Sequence, residues 1–150
     1  LDLTFEALGF SRLLANFLTI LKRFPKMRAV IDHCMKPQIR NHGTSRSELA
    51  YWSHGMARLA GETGAFCKLS GLVTEANADW TAEDLAPYAN QVLSVFGTDR
   101  VMWGSDWPVC RLRGNYEDWL SAAQSHCSGL SEAERAEVFG GTAARFYRIS

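Results

Sequence analysis

Residues 101–110, VMWGSDWPVC, decide how the whole chain is read. Val101, Met102 and Trp103 make an apolar run that stops abruptly at Gly104, Ser105 and Asp106, and Trp107 and Pro108 follow. A buried strand that ends in a carboxylate flanked by aromatic bulk raises the question of what the carboxylate serves. Working outward, three similar β-rich runs precede it: LDLTFEAL at residues 1–8, RAVIDH at 28–33 and AFCKLSG at 65–71. A helical pattern follows each. Leu14, Phe17, Leu18 and Leu21 share one stripe, with Ser11 as a candidate cap and Pro25 as the stop. Leu49, Trp52, Met56 and Leu59 form the second stripe. Leu85, Tyr88, Val92, Leu93 and Phe96 form the third, with Thr81 as a cap and a kink expected near Pro87. Tyr116, Trp119, Leu120 and Ala123 form the fourth. A last helix opens with a capping box from Ser131 to Glu134 and is expected to halt at Gly140–Gly141.

Strands joined through helices must run parallel, because each crossover returns the chain to the same end of the sheet. In such α/β architectures the C-terminal strand ends and the loops after them carry the site. That rule selects His33, Ser70 and Asp106. By period-two alternation, His33 would share a face with Ile31 and Ala29, Asp106 with Gly104 and Met102, and Ser70 with Lys68 and Phe66. Val30, Cys67, Leu69, Val101 and Trp103 would then lie beneath the helices. An inward Lys68 needs a counter-charge, and Asp2 or Glu6 could supply it.

The chain has 150 residues, 16 Lys+Arg against 16 Asp+Glu, and 47% hydrophobic residues, which indicates a soluble globular chain of one domain, residues 1–150, with no linker dividing it. Zero net charge gives no footprint for nucleic acid, and no apolar run approaches the roughly 18 residues a membrane span needs. Cys34, Cys67, Cys110 and Cys127 have no C-x-x-C spacing, so reduced thiols in a cytoplasmic protein are expected. Leu1 is not preceded by an initiator Met or a signal pattern, as in a processed or partial product.

VIDHCMKP, CKLSGLVTEANADW, FGTDRVMWGSDWPVC and the closing LSEAERAEVFGGTAARFYRI resemble the C-terminal half of the amidohydrolase-related sugar lactonases. That amidohydrolase-superfamily branch includes L-fuconolactone and L-rhamnonolactone hydrolases and is related to pyrone-dicarboxylate lactonases. The resemblance implies a (β/α)8 TIM barrel of which these runs are strands five to eight. A complete barrel takes about 250 residues, so the front half is missing. The His-any-His pair that the family carries on its first strand is absent, since His33, His42, His54 and His126 are mutually distant. Four strands leave two open parallel edges, which favours a homo-oligomer or association with the missing half, and the chain alone is expected to be inactive.

Opening a lactone needs an activated water, a polarised carbonyl and a proton for the leaving hydroxyl. Asp106 is the candidate base and His33 the candidate metal ligand or donor to the carbonyl oxygen. Both could bind one divalent ion, zinc, with the remaining ligands in the missing half. Gly104 would allow close approach, and Trp107, fixed by Pro108, would wall off solvent. Substrate contacts are assigned to Trp107, Lys68, Ser70, Trp80 and Arg111. Each has a plainer rival: Asp106 as a turn cap, His33 as a satisfied polar residue, Lys68 as a lumen ion pair, Trp80 as packing or lid, and Arg111 as a solvated charge. His42, His54 and His126 read as surface residues, and Cys34 and Cys110, beside the two best candidates, as inert thiols. Two other functions fit the same residues: a metal-dependent decarboxylase of the superfamily, and a truncated half-barrel that serves only for association.

Overall fold

The computed structural model describes residues 3–40 and 46–149. All four expected strands form: β1 (Thr4–Ala7), β2 (Arg28–Ile31), β3 (Phe66–Leu69) and β4 (Val101–Trp103). They make one parallel sheet in sequence order, with Phe5 opposite Ala29, Ile31 opposite Cys67 and Leu69 opposite Trp103. The crossovers are helical: α1 (Leu14–Arg23), α2 (Arg46–Glu62), then the short α3 (Leu72–Glu75) with α4 (Ala82–Phe96). After β4 come α5 (Tyr116–His126), α6 (Glu132–Ala136) and α7 (Thr142–Tyr147). Among the described residues no helix is long and apolar enough to cross a membrane.

The helices bury their stripes on one face of the sheet. Leu14, Leu18, Leu21, Trp52, Met56, Leu59, Leu85, Val92, Phe96 and Trp119 pack there with Ala29, Ile31, Cys67, Leu69 and Val101. The local signals explain most helix starts. Thr81 and Asp84 form a capping box on α4, Asn115 accepts from the Asp118 N–H on α5, and Ser131 and Glu134 form the expected box on α6. The α4 helix runs unbroken through Pro87.

Three expectations are corrected. Ser11 does not cap α1; it lies in a 3-10 turn (Ser11–Leu13), and its hydroxyl donates to the Met35 and Lys36 carbonyls, 3.4 and 3.5 Å away. The last helix does not stop at Gly140–Gly141: Glu137–Gly141 make a π-turn and the helix continues to Tyr147. A Cβ at Gly141 would meet the end of the Glu137 side chain at 2.8 Å and displace a carboxylate that receives Thr142 and pairs with Arg145. The third correction is one of parity on β2. Val30, not Ala29 and Ile31, faces away from the helices, in a second small core with Met102 and Phe146, against which Phe66 and Tyr147 pack. Alternation counted back from His33 does not hold, because the strand ends at Ile31 and His33 lies in the left-handed region, so its side chain does not follow the strand's period.

The second face therefore has a chemistry of its own. At the N-terminal end of the strands α7 closes it with Phe146 and Tyr147. Towards the C-terminal ends it carries Glu6, Lys68 and Asp32, where the apolar floor gives way to charge.

Candidate active site

The loop after β2 has an unusual backbone. His33, Cys34, Met35 and Lys36 all have positive φ, at 48°, 49°, 58° and 43°. Each such residue costs on the order of 1–3 kcal/mol and persists only where its surroundings over-determine it. Here the Lys36 N–H donates to the His33 carbonyl at 2.8 Å, the Trp52 indole to the Cys34 carbonyl at 2.8 Å, and the Cys34 thiol to the Lys68 carbonyl at 3.2 Å. The result turns the His33 ring over the ends of β3 and β4. Asp106, three residues after the end of β4, has positive φ as well, 54°. Gly71, at φ 65°, leaves room for the ring, since a Cβ there would lie 2.7 Å from His33 Cβ and Cγ.

His33, Ser70 and Asp106 are thereby brought together. His33 Nδ1 lies 2.8 Å from Ser70 Oγ, and Nε2 lies 3.5 Å from Asp106 Oδ1 and 3.9 Å from Asp32 Oδ2. Burial pushes the Asp106 carboxyl above its ordinary value; His33 and Lys36 oppose the rise, and Asp32 and Glu75 reinforce it. A carboxyl so placed holds a proton more readily than one in water.

Behind this pair runs a chain of charges. Lys68 Nζ stands 3.2 Å from Asp32 Oδ1 and 2.9 Å from Glu6 Oε2, and the Tyr147 hydroxyl donates to Glu6 Oε1 at 2.6 Å. Glu6 thus meets the expected need for a counter-charge, while Asp2 lies outside the described residues. Burial disfavours the Lys68 ammonium, but Glu6, Tyr147 and Asp32 outweigh it and raise its pKa. The Tyr147 and Lys68 hydrogen bonds lower that of Glu6.

Asp32 escaped the sequence reading. It is 9% exposed, and its signal was the period-two step from Val30, which puts it on the same face as Lys68 on the neighbouring strand. The other candidates are more peripheral. Ser70 is buried against His33. Trp107, joined to Pro108 by a cis bond, is 64% exposed. Gly104 makes room for Ser70, whose Cβ would lie 3.3 Å from a Cβ at that position. Trp80 donates its indole N–H to the Arg113 carbonyl at 2.8 Å and so ties the loop after β3 to the loop after β4. Arg111 is exposed on a 3-10 turn (Val109–Leu112). His54 is exposed, His42 lies outside the described residues, and His126 is half-buried rather than superficial, its pKa lowered by burial against a weak opposing pull from Glu83. All four cysteines are free and buried.

The description of the amidohydrolase family matches residues 1–149. The chain belongs to that family. This amidohydrolase chain is 43% identical to an L-fucono-1,5-lactonase of Burkholderia ambifaria over 99% of its own length and 51% of the relative's. It is 38% identical to an L-fucono-1,5-lactonase of Burkholderia multivorans, over 99% of its length and 52% of that protein's. Two crystal structures of an amidohydrolase from Burkholderia multivorans, one with bound HEPES and one with bound zinc, superpose with TM-scores of 0.93 and 0.91 at 37% identity, each covering 99% of this chain and 54% of the other. The chain spans about half the length of the curated relatives it matches.

The donor set of the amidohydrolase chain does not by itself make a zinc site. Catalytic zinc takes three protein ligands as a rule, whereas His33 and Asp106 offer a pair 3.5 Å apart, and among the described residues no cluster of three or more His, Cys, Asp or Glu side chains is placed to hold a metal.

Proposed function

We propose that residues 1–150 are one domain-forming half, strands five to eight, of an eight-stranded barrel that opens a sugar lactone such as L-fucono-1,5-lactone. The His33–Asp106 pair at the C-terminal strand ends carries this reading, supported by the similarity to two L-fucono-1,5-lactonases. Asp106 accepts a proton from water as it attacks the lactone carbonyl, and returns it to the ring oxygen when the C–O bond breaks. With Ser70 donating to Nδ1, His33 keeps its proton on Nε2 and donates it to the carbonyl oxygen as charge develops there. The remaining strands pair with the open edges of β1 and β4 and bring Trp107 and Arg111 to the mouth of the pocket, with Trp80 behind them.

Hydrolysis is measured with a pH indicator on the full-length protein, offering L-fucono-1,5-lactone, L-rhamnono-γ-lactone and a series of other aldonolactones. The proposal expects turnover of at least one sugar lactone and a fall in kcat of about 10²–10⁴-fold in Asp106→Asn without loss of fold. A folded Asp106→Asn protein that keeps most of its kcat removes Asp106 from the mechanism. Absence of turnover on every lactone refutes the substrate class.

A further inference from the structure

His33 Nε2 has two carboxylates within 4 Å, Asp106 at 3.5 Å and Asp32 at 3.9 Å. The two are distinguished by what stands behind them. Asp106 faces the strand ends, with no cation closer than the histidine among its charge contacts. Asp32 is turned the other way. Its Oδ1 is closed off from solvent with no hydrogen-bond donor aligned on it among the described residues, and the Lys68 ammonium at 3.2 Å compensates it as charge. Lys68 is itself held in place by Glu6 at 2.9 Å, and Glu6 by the Tyr147 hydroxyl at 2.6 Å.

We infer that Lys68 is a positioning residue: its ammonium holds the Asp32 carboxylate back from His33, so that Nε2 is left to Asp106 and the reacting atoms. The inference rests on the proposed lactone hydrolysis for its kinetic expression, but its geometric content does not. Without Lys68, a buried carboxylate loses the ammonium that pairs with it among the described residues, while His33 Nε2 stands 3.9 Å from its other oxygen. Closing a gap of 3.9 Å to a hydrogen bond of about 2.8 Å would turn the ring away from Asp106. Removing Asp32 along with Lys68 takes the competitor away.

The test uses the full-length protein and four variants: Lys68→Met, Lys68→Arg, Asp32→Asn and the double variant Lys68→Met/Asp32→Asn. Lys68→Met is expected to lower kcat by about 10–100-fold with KM within a few-fold, since displacement by about 1 Å costs on the order of 10² in rate. The double variant is expected to recover most of the loss, and Asp32→Asn alone to stay within about threefold of wild type. Lys68→Arg, which keeps the charge, should fall nearer wild type than Lys68→Met does.

A second readout needs no substrate. In histidine-labelled protein, the ring-nitrogen signals of His33, assigned by their disappearance in His33→Asn, should shift in Lys68→Met and return in the double variant. If no lactone is turned over but the nitrogen signals behave so, the functional reading fails and the positioning role stands. Unmoved signals in a folded Lys68→Met protein overturn the inference, as does a double variant no better than Lys68→Met. A rise in KM with kcat intact also overturns it, because Lys68 then touches substrate. Should Lys68→Met not fold, Asp32→Asn decides: a hundredfold loss of kcat in a folded Asp32→Asn protein gives Asp32 a chemical role and overturns the inference, while near-normal kcat with unmoved His33 signals supports it.

Discussion

Substituting Gly71 by alanine should damage the site without touching any group that does chemistry. Gly71 has φ 65°, where a Cβ costs about 1–2 kcal/mol. The new methyl would lie 2.7 Å from His33 Cβ and Cγ and 2.8 Å from Nδ1, whereas unstrained carbon contacts sit at about 3.5–4.0 Å. The ring must therefore retreat by roughly 1 Å, off its rotamer at about 0.5–1.5 kcal/mol and away from Ser70, whose hydrogen bond is worth a similar net amount. Together these come to about 2–5 kcal/mol, or a melting temperature lower by about 4–10 °C at roughly 2 °C per kcal/mol for a protein of about 250 residues. The same displacement should cut kcat by about 10²-fold. Thermal unfolding by circular dichroism and steady-state kinetics on one preparation of the full-length variant measure both effects. A Gly71→Ala protein that melts with wild type and keeps its kcat would mean that His33 is not held where it is described, and the site geometry would have to be redrawn.

Other perturbations separate packing from charge. Trp119 is fully buried, lies against Trp103 and donates to the Gly104 carbonyl at 2.9 Å, so Trp119→Ala should cost about 3–5 kcal/mol in urea unfolding; a loss below 1 kcal/mol contradicts its place under β4. Glu6 has a lowered pKa, so its contribution to stability is present above the ordinary carboxylate value of 4.5 and is lost as pH falls through the lower folded value. Tyr147→Phe removes the largest cause of that lowering and should flatten the loss of stability on acidification; an unchanged acid limb of the melting curve counts against the contact. Burial raises the pKa of Cys67, Cys110 and Cys127 and also encloses Cys34, so alkylation followed by peptide mapping should label none of the four in the native protein and all of them in denaturant. Rapid native labelling of Cys34 or Cys110 would show that the loops beside the site open.

The sequence carried the sheet clearly because each strand is a short apolar run followed by a periodic helix, and local pattern suffices for that. Strand-end reasoning also placed His33, Ser70 and Asp106 near one another, which they are. Side-chain direction was harder. Counting alternation back from His33 fails because four successive left-handed residues break the strand's period, and nothing in HCMK announces positive φ at non-glycine positions. For that reason the alternation misplaces Val30 and does not single out Asp32. The π-turn at Glu137–Gly141 was hidden for a related reason: paired glycines usually end a helix, and here Gly141 makes room for a carboxylate that arrives from within the same helix.

The hydroxyl of Tyr147 and the carboxylate of Glu6 meet across 141 residues of sequence. During translation, at about 5–20 residues per second, roughly 7–30 s separate the appearance of these two partners. Until Phe146 and Tyr147 emerge from the ribosome, Val30, Phe66 and Met102 lack the cover that α7 gives them, and the Glu6 that holds Lys68 lacks its tyrosine anchor. For that interval the side of the sheet that α7 closes waits on the last helical turn of this segment.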